Sequence, residues 1–113
     1  MSSDDVRLHH MLDAARKAAE LVHGRTRADL ETNEVLVLAL TRLLEILGEA
    51  ARAISDQTKR RAPTIAWKLI IGTRDRLIHG YFDVDLNILW EIVTRDLPPL
   101  IAELERLVSD PLN

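Results

Sequence analysis

A chain of 113 residues, 47% hydrophobic and 29% charged, is long enough for one domain with its own core and too apolar to stay disordered. It has no cysteine, which excludes a disulfide framework and thiolate metal sites, and its net charge of −3 argues against a broadly basic nucleic-acid binder. No apolar run approaches the roughly 18 residues of a membrane span, and the polar, acidic start Met-Ser-Ser-Asp-Asp does not read as a secretory signal. The expected organisation is a single cytoplasmic domain over residues 1–113.

The pattern is helical throughout. A first helix is predicted over 4–23, with Leu8, Met11, Leu12, Ala15, Ala19 and Val22 on one face. The stretch 24–29 breaks it. A second is predicted over 31–60, where Leu36, Leu40, Leu43, Leu47, Ala50 and Ile54 alternate spacings of four and three, a bundle seam. Val37, Leu44 and Ala51 widen that stripe, which makes this helix central. Arg42, Glu45, Glu49 and Arg52 form its polar strip, expected to face solvent with ordinary ion pairs. Gly48 inside the helix costs about 1 kcal/mol relative to Ala, which points to close packing there. Pro63 ends the helix and Thr64 is a candidate cap for a third, running to about His79 with Gly80 as its stop. Asp85 is a candidate N-cap for a fourth, burying Leu86, Leu89, Trp90, Val93, Leu97, Leu100, Ile101, Leu104 and Val108. Pro98-Pro99 is expected to kink or split that helix near Asp96. The fold class is therefore all-α, an antiparallel bundle of four to five helices.

One stretch, residues 74–81, concentrates the chemistry: Arg74, Asp75, Arg76, His79 and Tyr81 lie within eight residues. Arg74 falls inside the apolar stripe of the third helix, with Ile70, Ile71, Leu77 and Ile78 at its helical neighbours. Arginine is seldom fully buried unless paired, so Arg74 is expected to meet an anion or to line an interface pocket. Asp75 precedes His79 by four residues, one helix face if the helix is continuous. The segment 59–81 carries six cations against one carboxylate, net +5, whereas 82–113 carries net −5. A local basic segment in an acidic protein can engage phosphate at one site, although a solvated, ion-paired face has the same composition.

Other chemistries fall away. No phosphate-cradling glycine loop is present, and no two of His9, His10, His23 and His79 share the i, i+4 spacing of paired metal ligands. Trp67 and Trp90 have apolar neighbours and read as core anchors. The cluster in the third helix remains. A histidine near a helix end and facing a carboxylate favours its protonated form and can act as general acid or base. An arginine can bind phosphate bidentately and stabilise charge developing on it. Together they fit metal-free cleavage of an RNA phosphodiester, with no cofactor. The alternative reading is a helix-end histidine paired to Asp75 and an arginine satisfied by an acidic residue elsewhere.

Arg74-x4-His79-Gly80-Tyr81 resembles the Arg-x4-His-x-Tyr motif of the HepT-like toxins, in the HEPN superfamily of helical ribonucleases. The flanks resemble the family as well: 44–51 its second helix, 66–72 the run into the motif, and 82–85, 89–92 and 96–100 the segment after it. The resemblance covers nearly the whole chain and is weakest over 1–35.

It implies an all-α homodimer that cleaves RNA without metal, with two copies of the motif meeting in a cleft at the interface. It implies a partner, an MntA-like minimal nucleotidyltransferase antitoxin that adds AMP to the motif tyrosine. Carried over, Arg74 and His79 are the catalytic pair and Tyr81 the modified residue. Asp75 stands where many members have a polar residue, often Asn; supporting His79 suits it better than touching phosphate. Five residues of helix separate two side chains by about 7.5 Å and about 140°, so Arg74 and His79 of one chain would diverge and two chains would complete the site. The competing reading is a HEPN-fold binding module that keeps these contacts and cuts poorly or not at all.

Overall fold

The computed structural model describes residues 2–80 and 83–109. Helix α1 spans Ser3–Val22 and opens with a capping box, in which the Ser2 hydroxyl accepts from the Asp5 amide and the Asp5 carboxylate accepts from the Ser2 amide. Its inner face buries Leu8, Met11, Leu12, Ala15, Ala18 and Val22.

The helix predicted over 31–60 is three helices. A single turn, α2 (Asp29–Thr32), precedes α3 (Glu34–Ala53), and α4 (Asp56–Arg61) follows. Local side chains set the breaks by offering the backbone alternative partners. Asn33 accepts from the Leu36 amide at 3.0 Å, and the Ser55 hydroxyl accepts from the Thr58 amide at 3.3 Å. Asp4 at the start of α1 fixes the second break, accepting from the Ser55 amide at 3.1 Å and the Thr58 hydroxyl at 2.6 Å. The buried seam of α3 runs through Leu36, Leu40, Leu44, Leu47 and Ala51, while Leu43 and Ala50 are only half-buried. As expected, α3 is central: it packs against α1, α5, α6 and α7.

The predicted third helix is also interrupted. It consists of α5 (Trp67–Ile71) and α6 (Thr73–Leu77), separated at Gly72. The chain then leaves helical geometry for a two-residue strand, β1 (Ile78–His79), paired antiparallel with β2 (Asp83–Val84). Thr64 does not cap α5; its hydroxyl donates to Glu103 at 3.1 Å.

Asp85 does cap α7 (Leu86–Glu91), accepting from the Ile88 amide at 3.0 Å. The chain continues through a π-helical turn over Ile92–Asp96 into α8 (Leu97–Ser109). The irregularity expected near Asp96 is this wide turn, closed by the Leu97 amide on the Ile92 carbonyl. Pro98 and Pro99, which lack an N–H, then fall in the first turn of α8, where they leave fewest bonds unmade. The result is an all-α, HEPN-like bundle with one small hairpin. Among the described residues, Met11, Leu40, Leu44, Leu77, Leu89, Leu97 and Leu104 are the largest fully buried side chains. Among the described residues, no helix is long and apolar enough to cross a membrane.

Candidate active site

The site begins with a glycine. A Cβ on Gly48 would stand 3.1 Å from the Ile70 carbonyl oxygen, closer than side chains normally approach backbone. The missing side chain lets the end of α5 settle on α3, which is the close packing expected of Gly48. Gly72 then turns the chain, and α6 starts directly beside α3. Arg74, in the first turn of α6, places its Nε 3.6 Å from Glu45 Oε2.

Arg74 is therefore not buried on an apolar face, as a continuous helix would have required. The break at Gly72 separates Ile70 and Ile71 from the phase of α6, and the Arg74 side chain is 70% exposed against 24% for Glu45. It does meet an anion. A pair this open contributes at most about 1 kcal/mol to stability, so its consequence is the direction it gives the guanidinium. Beside it lies a cleft of about 150 Å³ lined by Glu45, Gly48, Glu49, Arg52, Ile71 and Arg74. The polar strip of α3 thus has two roles. Arg42 and Glu49 form the expected exposed pair at 3.5 Å, whereas Glu45 pairs with Arg74.

His79 is on β1, not on a helix. The Leu77 carbonyl accepts from the Asp85 amide at 2.8 Å, which commits the backbone to the hairpin, and Gly80 adopts φ +75°, a conformation costly for other residues. The helical relation of Asp75 to His79 is consequently lost, along with the divergence of about 140° computed for a continuous helix. Asp75 is exposed in the first turn of α6. The carboxylate that the fold sets opposite His79 is Asp83, its partner in the ladder register, and directly opposed strand residues share a face. The His79 ring is exposed and forms no hydrogen bond among the described residues. Tyr81 lies outside the described residues.

The sequence profile of the ribonuclease HepT-like family matches residues 11–107. The chain belongs to this family. A protein of Methanocaldococcus jannaschii, provisionally named an RNase, is 36% identical over 107 residues, covering 93% of this chain and 98% of the relative. One from Caldanaerobacter subterraneus subsp. tengcongensis, named likewise, is 36% identical over 94% of this chain and 91% of its own length. A third, from Thermococcus cleftensis, is provisionally named ribonuclease HepT and is 38% identical over 85% of this chain and 91% of its own. No solved structure matches.

Within this HepT-like bundle the remaining candidates have structural work. Trp67 is buried and its indole N–H donates to the Ala62 carbonyl at 3.1 Å. His9 bonds the Asp5 carbonyl through Nδ1 at 2.7 Å, and His23 is the C-cap of α1. A larger cavity, about 340 Å³, lies between α5 and α8; Arg76 lines it, but neither Arg74 nor His79 does. Glu45 and Asp83 are the two site neighbours that helix counting missed. The signal for Asp83 was Gly80, which marks a turn between short extended pieces as well as a helix stop. No local signal in the sequence pairs Glu45 with Arg74.

Proposed function

We propose that this HepT-like chain is a metal-independent endoribonuclease toxin of a toxin–antitoxin module, with Arg74 and His79 as its catalytic pair. The observation that carries the reading is that one short segment, α6 to β1, presents both side chains to solvent, with the His79 ring free of partners among the described residues. A neutral His79 accepts the proton of the ribose 2′-hydroxyl. The 2′-oxygen attacks phosphorus, the bond to the 5′-oxygen breaks, and that oxygen takes a proton from an imidazolium. Arg74 neutralises the charge gathering on the non-bridging oxygens. The products are a 2′,3′-cyclic phosphate and a 5′-hydroxyl.

Two histidines serve better than one for a base and an acid acting together, and a homodimer supplies both. Apolar surface left open on one chain supports such assembly: Val35 and Leu38 on α3 and Leu69 on α5 are each at least half exposed. Control falls to Tyr81, two residues beyond His79 in sequence. AMP added there by an MntA-like nucleotidyltransferase antitoxin would bring an anion to the phosphate-binding residues and compete with RNA.

Purified His79→Ala and Arg74→Ala are expected to lose cleavage by a factor of about 10² or more while remaining folded dimers by light scattering. Wild-type cleavage is expected to persist in EDTA. Full activity in either variant, or strict dependence on added magnesium, rules the mechanism out. Incubation with antitoxin and ATP is expected to add AMP units to the wild type but not to Tyr81→Phe, which stays toxic on co-expression. A label found elsewhere removes Tyr81 as the switch.

A further inference from the structure

We infer that Glu45 is a positioning residue for Arg74, holding the guanidinium by its Nε edge so that the Nη1–Nη2 edge is left for the phosphate. The inference rests on the ribonuclease reading above and adds a residue to it. Three observations converge. The closest approach of the ion pair is through Nε, at 3.6 Å, and most of the Arg74 side chain is open to solvent. A guanidinium is a rigid planar fork, so fixing one edge aims the other.

The pair is also asymmetric in burial. Glu45 is the sheltered member and Arg74 the open one, which suits a carboxylate anchored on a long helix directing a cation outward. Finally, Glu45 lies one turn before Gly48, where α5 packs tightly against α3. The same contact that brings α6 to α3 therefore sets where Arg74 stands relative to Glu45. Of the other charged groups lining the cleft, Glu49 is engaged by Arg42, and Arg52 carries the same charge as Arg74. Glu45 is the carboxylate left to orient it.

The test compares wild type, Glu45→Gln and Glu45→Ala on a single-cut RNA oligonucleotide under saturating and limiting conditions. Glu45→Gln keeps an acceptor without charge; Glu45→Ala keeps helix propensity but removes the acceptor. Expected is a graded loss in kcat, about threefold for Gln and about tenfold or more for Ala, with KM changed less than twofold. A purely structural role would instead lower the melting temperature and reduce active fraction without this grading. A second readout is independent of turnover: the Arg74 Nε–H resonance, assigned through Arg74→Lys, is expected to shift in Glu45→Gln and Glu45→Ala. Wild-type kcat in Glu45→Ala, a rise in kcat, or an unmoved Nε–H resonance overturns the inference. If wild-type protein itself cleaves no RNA, the ribonuclease reading fails, and the resonance still decides whether Glu45 holds Arg74.

Discussion

The half of the molecule built from α1, α3 and α8 and the half built from α5, α6 and the hairpin obey different rules. The first uses helices of 20, 20 and 13 residues, whose leucine seams close on one another. The second uses two helices of five residues and a pair of two-residue strands. Helices that short do not form alone, because nucleation costs more than so few bonds return. They persist because Gly48 and the Asp85–Leu77 bond hold them on the long-helix scaffold. Under the proposed mechanism, interrupting the chain this often has a chemical use. Each break re-aims the next side chain, and Arg74 and His79 emerge on the surface where a continuous helix would have buried one of them.

The contrast can be broken most severely in the scaffold. Leu104 is fully buried in α8, and Leu104→Ala is expected to cost about 2–5 kcal/mol. Urea denaturation measures the loss, and cleavage falls only with the folded fraction. His79→Ala should behave in the opposite way, with an unchanged urea midpoint and no cleavage. Should Leu104→Ala retain the wild-type midpoint, the bundle core is not where stability resides.

Gly48→Ala acts on the seam between the halves. Ala gains about 1 kcal/mol of helix propensity over Gly, while its Cβ meets a backbone carbonyl that must retreat by a few tenths of an ångström. The two terms nearly cancel, so stability is expected to change by less than about 1 kcal/mol. Activity does not cancel: α6 moves with α5, and displacing Arg74 by that much is expected to lower kcat about threefold to tenfold. A variant that is stabilised and fully active would show that the close approach of α5 does not set the site.

The same contrast explains what the sequence made legible. Long seams were readable: the boundaries of α1, the central place of α3 and the Asp85 cap follow from period and cap chemistry. Ser55 was overlooked because an apolar seam continuing through Ile54 outweighed one capping residue, and Asp4, which secures that break, is 51 residues away. Arg74 and His79 were legible as a pair through residue type and resemblance, but their setting was not. Helix counting assumed continuity across Gly72 and past Leu77, so it assigned Asp75 to His79 where the ladder offers Asp83. Glu45 reaches Arg74 only through tertiary packing, which no window along the chain contains.

The smallest expected effect returns to the scaffold, at the junction of α1 with α4. Asp4 accepts bonds from the Ser55 and Thr58 hydroxyls and the Ser55 amide, which hold its carboxyl below the usual carboxylate range. A carboxyl whose pKa is depressed by folding contributes stability above its unfolded value, near 4, and loses it as pH falls through the lower folded value. The site is near solvent, so the contribution at neutral pH is below about 1 kcal/mol. Asp4→Asn removes the charge, and the gap in urea midpoint between wild type and variant is expected to be widest at pH 6 and to shrink steadily below pH 4. Protection factors of the Ser55 and Thr58 amides, corrected for the intrinsic pH dependence of exchange, should fall over the same range, while those of the α3 seam amides stay high. A gap that is the same at pH 3 and pH 6 would mean that Asp4 joins the helices through shape and neutral hydrogen bonding, with no share for its charge.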